Sequence, residues 1–176
     1  GRLECFGGNL EGQCTVPEGL GPVIAVAAGT AHTCAVTADG RLECFGRNMD
    51  DQCSVPEGLG PIIAVAAGAW HTCAVTADGR LECFGGNLEG QCTVPEGLGP
   101  VIAVAAGLGH TCAIAADGRL ECFGRNAEGQ CSVPEGLGPV IAVAAGGWHT
   151  CAVTIIAVAA GAWHTCAVTA DGRLEC

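Results

Sequence analysis

The chain has 176 residues, a formal net charge of −11, and seven basic residues that are all Arg. An acidic surface repels phosphate backbones, so this charge argues against nucleic-acid binding. No apolar run approaches the roughly 20 residues that span a bilayer, so we expect membrane association only through partners. The composition is 49% hydrophobic but only 4% aromatic, which favours thin, closely packed sheets built from Ala, Val and Gly.

One short sequence, GRLECFG, begins at Gly1, Gly40, Gly79 and Gly118, so the chain repeats every 39 residues. A fixed period between about 20 and 50 residues is typical of repeat architectures. Each unit contains three short apolar runs separated by Gly, Asp-Gly and Pro. Runs of this length bounded by turn residues predict strands and not helices.

Residues 1–22 form the end of a unit, and residues 23–61 form the first complete one. Val23 to Ala28 is continuously apolar, which predicts a strand covered on both faces. His32 to Thr37 and Leu42 to Phe45 are predicted to be the second and third strands. Residues 62–100 and 101–139 repeat this unit, and we refer to the three as the first, second and third units.

The segment Ala38-Asp39-Gly40 predicts a three-residue hairpin loop, a type I turn followed by a glycine bulge. This register places Cys34 opposite Cys44 at a non-hydrogen-bonded site, where Cα atoms lie about 4.5 Å apart. That separation suits a disulfide. A two-residue turn would instead place Cys34 opposite Phe45 and allow no bridge. The predicted bridges are Cys34–Cys44, Cys73–Cys83, Cys112–Cys122 and Cys166–Cys176.

Fourteen cysteines in a chain of this length favour a disulfide scaffold in an oxidising compartment, either secreted or in an organelle lumen such as the thylakoid lumen. The alternative is that the cysteines serve as small buried apolar residues. The third cysteine of each unit has no partner that the register identifies. These third cysteines are Cys14, Cys53, Cys92 and Cys131.

The repeat breaks after Thr154, where Ile155 begins a new unit in place of the expected ADGRLECFG. Ile141 and Ile156 are equivalent but only 15 residues apart, which is 24 short of a full period. A hairpin strand without its mate would expose its hydrogen-bonding edge. We therefore expect a gap of about 24 residues between 154 and 155 and not a genuine deletion. Residues 1–176 are then predicted to form a single domain, incomplete at both ends.

Several short motifs of the first unit together resemble the RCC1-repeat superfamily, in particular its short-repeat, beta-lactamase inhibitor protein II-like branch. They are Ala27-Ala28-Gly29, His32-Thr33, Asp39-Gly40, Phe45-Gly46, Asn48, Gln52 and Val55-Pro56. The resemblance covers essentially the whole chain. It implies an all-β propeller with one repeat per blade and seven blades in the full protein, of which four to five blades or part-blades lie in this chain.

The chain also departs from the family pattern. Phe45 replaces the usual Trp, and three cysteines are added to each unit. The β-tongue and basic tail of the founding member are missing, so its nucleosome-binding and nucleotide-exchange roles are not implied. Cysteine-rich repeats of this kind resemble those of single-celled photosynthetic eukaryotes.

A histidine recurs in every unit, and we expect these side chains to pack and hydrogen-bond between blades. They are His32, His71, His110, His149 and His164. The sequence supplies no nucleophile with an orienting base, and the close Cys pairs of zinc modules are missing. We therefore predict no catalytic residues, no metal site and no cofactor.

The units differ mainly in the pair of residues before each His and in the positions around each Asn. These positions fall in connections, which gather on the end faces of a propeller. Trp and Arg are enriched at binding hot spots. The predicted binding residues are Trp70, Trp148, Trp163, Arg47, Arg125, Met49 and Leu108. The alternative is that the Trp side chains only pack over neighbouring loops.

Taken together, the sequence predicts a non-enzymatic β-propeller that acts as a protein–protein interaction module. One alternative is a structural or peripheral subunit of a larger assembly, with a photosynthetic membrane complex as one candidate host. Another is a carbohydrate-binding propeller in which Trp side chains stack on sugar rings.

Overall fold

The computed structural model describes residues 1–154, together with the backbone of residues 157–160, 165–168 and 174–175. The predicted gap between residues 154 and 155 lies outside this part of the chain. Every regular element in the described ranges is a β-strand. The strands are β1 Val23–Ala28, β2 His32–Thr37, β3 Leu42–Gly46, β4 Ile62–Ala67, β5 His71–Thr76, β6 Leu81–Gly85, β7 Val101–Ala106, β8 His110–Ala115, β9 Leu120–Gly124, β10 Val140–Ala145, β11 Thr150–Thr154, β12 Ala157–Ala160, β13 Thr165–Val168 and β14 Leu174–Glu175.

Each complete unit forms one antiparallel sheet of three strands in chain order, β1-β2-β3, β4-β5-β6 and β7-β8-β9. Strands β10 and β11 form a two-stranded sheet, and β12-β13-β14 form a further three-stranded sheet. All six residues of each middle strand β2, β5 and β8 are buried. The reason is that each middle strand has a strand on either side and lies in contact with the next unit, as β2 does with β4. Sheets packed side by side in this way are arranged as the blades of a propeller.

The hairpin between β2 and β3 has the register that the turn residues predict. The Gly40 N–H donates to the Thr37 carbonyl at 2.9 Å, and the Thr37 N–H donates to the Arg41 carbonyl at 2.9 Å. Gly40 has φ +82°, a left-handed conformation that side chains disfavour. Val36 therefore pairs with Leu42, and Cys34 pairs with Cys44.

Three of the four predicted disulfides are present in the structure, each with its Cα atoms 4.1 Å apart. They are Cys34–Cys44, Cys73–Cys83 and Cys112–Cys122. The fourth predicted pair, Cys166–Cys176, lies outside the residues whose side chains are described. A bridge that closes so short a loop contributes about 2–3 kcal/mol. Bridges in three successive units indicate an oxidising environment.

The first strand of each unit is not covered on both faces, so that prediction is wrong. Strands β1, β4, β7 and β10 contact one another in sequence along the inner side of the blades. A register shift between Val23 and Ala25 forms a β-bulge that turns the intervening residue outward. The bulged residue is exposed in all four units, by 54–63%: Ile24, Ile63, Ile102 and Ile141. An apolar run alone cannot reveal such a bulge, because the bulge depends on pairing with the second strand.

A ladder of buried hydrogen bonds joins successive units. His32 Nε2 lies 2.9 Å from Thr72 Oγ1, and that hydroxyl donates to the Gln52 carbonyl at 2.8 Å. Since the only hydroxyl proton is used on Gln52, His32 Nε2 must be the donor to Thr72. The equivalent pairs in the next units are His71–Thr111 at 2.9 Å and His110–Thr150 at 3.0 Å.

Burial keeps these ladder histidines neutral. Burial, together with the smaller effect of the neighbouring His32 and His110, lowers the pKa of His71 to about 4. Burial also lowers the pKa of His32 and of His110. These three histidines therefore have the packing and hydrogen-bonding role that their recurrence predicts.

Candidate binding cleft

Loops from three successive units meet at one end of the blades and enclose a cleft of about 320 Å³. Four of the predicted binding residues line it: Arg47, Trp70, Leu108 and Arg125. Arg47 comes from the loop after β3, Trp70 from the loop before β5, and Leu108 and Arg125 from the loops on either side of β8 and β9. Residues about 80 apart in sequence thus share one surface.

The structure places the other predicted binding residues elsewhere. Met49 is 80% exposed at its loop tip and does not line the cleft. Trp148 is 56% exposed and lies in a separate recess beside Gln130 and His149. Trp163 lies outside the described residues.

The third cysteine of each unit fastens the loop that carries the variable residues. Asn48 Oδ1 accepts the Cys53 N–H at 2.7 Å, and the Cys53 thiol donates to the Arg47 carbonyl at 3.3 Å. Burial raises the pKa of Cys53 to about 11, so the thiol stays protonated. The same thiol-to-carbonyl contact recurs in the other units at 3.3–3.4 Å, from Cys14, Cys92 and Cys131. The partner that the sequence could not identify is thus a backbone oxygen six residues earlier.

Two glycines set the position of Trp70. The Gly86 N–H donates to the Trp70 carbonyl at 2.7 Å. A Cβ on Gly86 would lie 3.1 Å from the Trp70 Cβ, and a Cβ on Gly85 would lie 2.6 Å from the Trp70 carbonyl oxygen. Gly85 also has φ +107°, a region open essentially to glycine. Gly85 therefore allows the loop after β6 to approach the Trp70 backbone, and Gly86 leaves room beside the Trp70 side chain.

Two acidic residues that are not among the predicted binding residues complete the cleft. Arg47 Nη2 lies 3.5 Å from Asp50 Oδ2, and Arg125 Nη1 lies 3.9 Å from Glu89 Oε1. The Glu89 pair is apparent only from the fold, because Glu89 and Arg125 belong to different units. The cleft therefore combines two cations, two anions and an apolar surface formed by Trp70 and Leu108. Such a set can bind and orient a ligand, but it contains no nucleophile paired with a base.

The cleft arginines make longer ion pairs than the arginines of the β-hairpins. The hairpin ion pairs have N–O distances between 2.8 and 3.2 Å, as for Arg80 with Glu82 at 2.8 Å. The Nε atoms of Arg47 and Arg125 are buried without a hydrogen-bond partner among the described residues. The two cleft guanidinium groups thus retain unused donors.

Among the described residues, no helix is long and apolar enough to cross a membrane.

A family model described as Regulator of chromosome condensation (RCC1) repeat matches residues 23–52, 62–91, 101–130 and 155–176. These segments make up more than half of the chain and include the three strands of each complete unit. A search of curated proteins found no significant match.

Several solved structures share the fold. The ectodomain of the Physcomitrella patens receptor kinase CR4 is 23% identical with a TM-score of 0.70, covering 94% of this chain and 53% of that one. The CRINKLY WD40 ectodomain of the Arabidopsis thaliana receptor kinase ACR4 is 26% identical with a TM-score of 0.60, covering 74% and 46%. Prp20p from Saccharomyces cerevisiae is 19% identical with a TM-score of 0.67, covering 84% and 45%.

The chain therefore spans about half the length of these structures. Sequence identities this low establish only that the fold is shared, whereas the match to the repeat model establishes the family. The predicted all-β architecture and the predicted repeat family are both confirmed. The chain belongs to the RCC1-repeat family, and its three-stranded units are blades of an RCC1-like β-propeller of which it spans a part.

Proposed function

We propose that this protein is a non-enzymatic interaction module that binds a protein partner through the cleft around Trp70. The observation that carries the proposal is the convergence of variable residues. Arg47, Trp70 and Arg125 differ from their counterparts in neighbouring units, yet they meet in one cleft on an otherwise repeated scaffold. Residues that vary between units and meet in one concave surface are what a binding site on a rigid repeat scaffold requires.

The chemistry of the cleft suits a protein segment. Trp and Arg are the side chains most enriched at the energetic centre of protein interfaces. A volume of about 320 Å³ lies at the small end of ligand pockets and accommodates one or two anchoring side chains. Relatives of the same fold support this use: yeast Prp20p was studied for its binding to Gsp1p and histones, and was also solved with Kap60.

The disulfides support placing this interaction in an oxidising compartment, either secreted or in an organelle lumen such as the thylakoid lumen. There the module would act on a free partner or as a peripheral subunit of a multi-subunit assembly.

A peptide-display selection tests the proposal. A random peptide library is selected on the wild-type protein, and each enriched clone is then tested against Trp70→Ala and Trp148→Ala. Trp148→Ala is the matched control, because this Trp has similar exposure but lies outside the cleft. Circular dichroism and intact disulfides establish that both variants fold.

We expect enriched peptides that lose at least about tenfold in affinity on Trp70→Ala, which corresponds to about 1.4 kcal/mol. Trp148→Ala should leave their binding unchanged. Enriched peptides that bind Trp70→Ala as tightly as the wild type would remove the cleft from the site.

A further inference from the structure

The contacts around Trp70 and the two arginines point to the class of peptide that the cleft selects, an inference that rests on the proposed function. We infer that the cleft takes a peptide segment in which a large apolar side chain is flanked by Asp or Glu. The apolar side chain packs on Trp70 and Leu108, and the carboxylates pair with Arg47 and Arg125.

The loops that meet at the cleft alternate in side-chain size with a period of two units. The carbonyl of the residue before each ladder histidine accepts a hydrogen bond from the N–H of the residue that follows β3, β6 or β9, at 2.7–2.9 Å. In each such pair, one member is bulky and the other is small. The pairs are Ala31–Arg47, Trp70–Gly86 and Gly109–Arg125.

This alternation places a Trp between two arginines. A bulky residue at one member favours a small residue at the other, because a Cβ on Gly86 would lie 3.1 Å from the Trp70 Cβ, closer than an ordinary van der Waals contact. The Arg-bearing units are therefore the first and the third, and the Trp-bearing unit lies between them. The side chains of Arg47 and Arg125 consequently approach the same cleft from its two sides, with Trp70 between them.

The two cleft arginines have hydrogen-bond donors without close acceptors. Neither Arg47 nor Arg125 makes a side-chain hydrogen bond within the described residues, and each has only a long ion pair, of 3.5 and 3.9 Å. An arginine presents five N–H donors in a planar arrangement that matches a carboxylate. A carboxylate of the bound peptide would supply hydrogen-bond acceptors at close range, whereas the carboxylates of Asp50 and Glu89 lie 3.5 and 3.9 Å from the guanidinium groups.

Outside the cleft, the arginines of the described residues are already paired with carboxylates. The described residues contain six arginines, and four of them pair with carboxylates two residues away in sequence: Arg2, Arg41, Arg80 and Arg119. The other two lie in the cleft. On a chain of net charge −11, the cleft is thus a nearly neutral region with unsatisfied donors, surrounded by surface that repels an acidic peptide. Such a contrast favours the cleft over other docking positions for a carboxylate-bearing ligand.

Fluorescence anisotropy with three labelled, acetylated and amidated peptides tests the inference: EELFEE, QQLFQQ and EEAAEE. The first carries both features, the second lacks the carboxylates, and the third lacks the apolar anchor. We expect EELFEE to bind the wild-type protein at least about tenfold more tightly than either of the others. Raising the salt concentration should weaken this binding, because ion pairing is screened.

Substitutions of the two cleft arginines test whether they cause the preference for EELFEE. Arg47→Gln and Arg125→Gln should each weaken EELFEE binding by about fivefold to tenfold and should weaken the binding of QQLFQQ by less than about twofold. Arg80→Gln is the matched control, since the same chemical change in a hairpin should have no effect.

Two results would overturn the inference, and they have different consequences for the proposed function. Equal affinity for EELFEE and QQLFQQ, with both lost on Trp70→Ala, would refute the carboxylate preference and leave the cleft as an interaction site. The inference also fails if EELFEE does not bind, or if its affinity is indifferent to both arginine substitutions. Selected peptides that are indifferent to Trp70→Ala would refute the proposed function itself.

Discussion

The buried ladder between blades makes a sharp prediction at Thr111. Its hydroxyl accepts from His71 Nε2 at 2.9 Å and donates to the Gln91 carbonyl at 2.8 Å. Thr111 and His71 are both fully buried. Thr111→Val keeps the shape of the side chain but leaves one donor and one acceptor without partners in the interior.

The magnitude follows from the cost of a buried unsatisfied group, which is about 1–3 kcal/mol. Two such groups predict a loss of about 2–6 kcal/mol from Thr111→Val. Thr33 provides the matched control, because its hydroxyl donates to the Gln13 carbonyl at 2.8 Å but has no histidine partner among the described residues. Thr33→Val removes one hydrogen bond of the same kind and should cost about half as much.

Urea unfolding followed by circular dichroism measures both variants of the 176-residue chain. For a slope of about 1–3 kcal/mol per M, the difference between them corresponds to a midpoint shift of about 1 M. Equal destabilisation by Thr111→Val and Thr33→Val would refute the assignment of His71 as a donor to the Thr111 hydroxyl.

Three further predictions concern pH, backbone conformation and thiol reactivity. The folded pKa of His71, about 4, lies below its ordinary 6.5, so the unfolded chain binds the proton more readily. The free energy of unfolding should therefore be unaffected by His71 above about pH 6.5 and should fall by up to about 3 kcal/mol as the pH drops toward 4. Melting temperatures measured across this range will show the decrease. Gly85→Ala should lower the free energy of unfolding by more than about 2 kcal/mol, because the new Cβ would lie 2.6 Å from the Trp70 carbonyl oxygen. Gly97→Ala should lower it by only about 1 kcal/mol, because nothing lies within 4 Å of that position. Urea unfolding measures both variants. At about pH 8, iodoacetamide should modify the exposed Cys151 at least about tenfold faster than Cys92, whose pKa burial raises to about 11, as peptide mass spectrometry will show.

Each of these predictions has a clear contrary result. A melting temperature that is constant between about pH 4 and 7 would mean that the buried histidines do not couple protonation to folding. Equal losses for the two glycine variants would show that the loop can move away from Trp70. Similar alkylation rates for the two cysteines would show that the third cysteine does not hold the protected thiol-to-carbonyl contact.

Local pattern was enough to predict the hairpins and their disulfides. The turn Ala38-Asp39-Gly40 sets the register, and the register alone determines that Cys34 faces Cys44, because both lie within one short hairpin. The same reasoning failed for the first strand, where Ile24 is turned outward by a bulge that depends on pairing with the next strand. Local sequence also identified the variable residues Trp70 and Arg125 as binding candidates, but it grouped Trp148 with them, and the structure places that residue in a separate recess.

The sequence by itself determined the repeat, the strands and the three bridges, since the strands and bridges follow from residue patterns within one 39-residue unit, and its motifs resembled the family that the repeat match confirmed. The tertiary structure decided which variable residues share a surface and which carboxylates accompany them. Glu89 meets Arg125 across a boundary between blades, and Cys53 finds its partner in a folded loop. Contacts between units depend on how one sheet is rotated and packed against the next, and no periodicity along the chain encodes that rotation in a readable form.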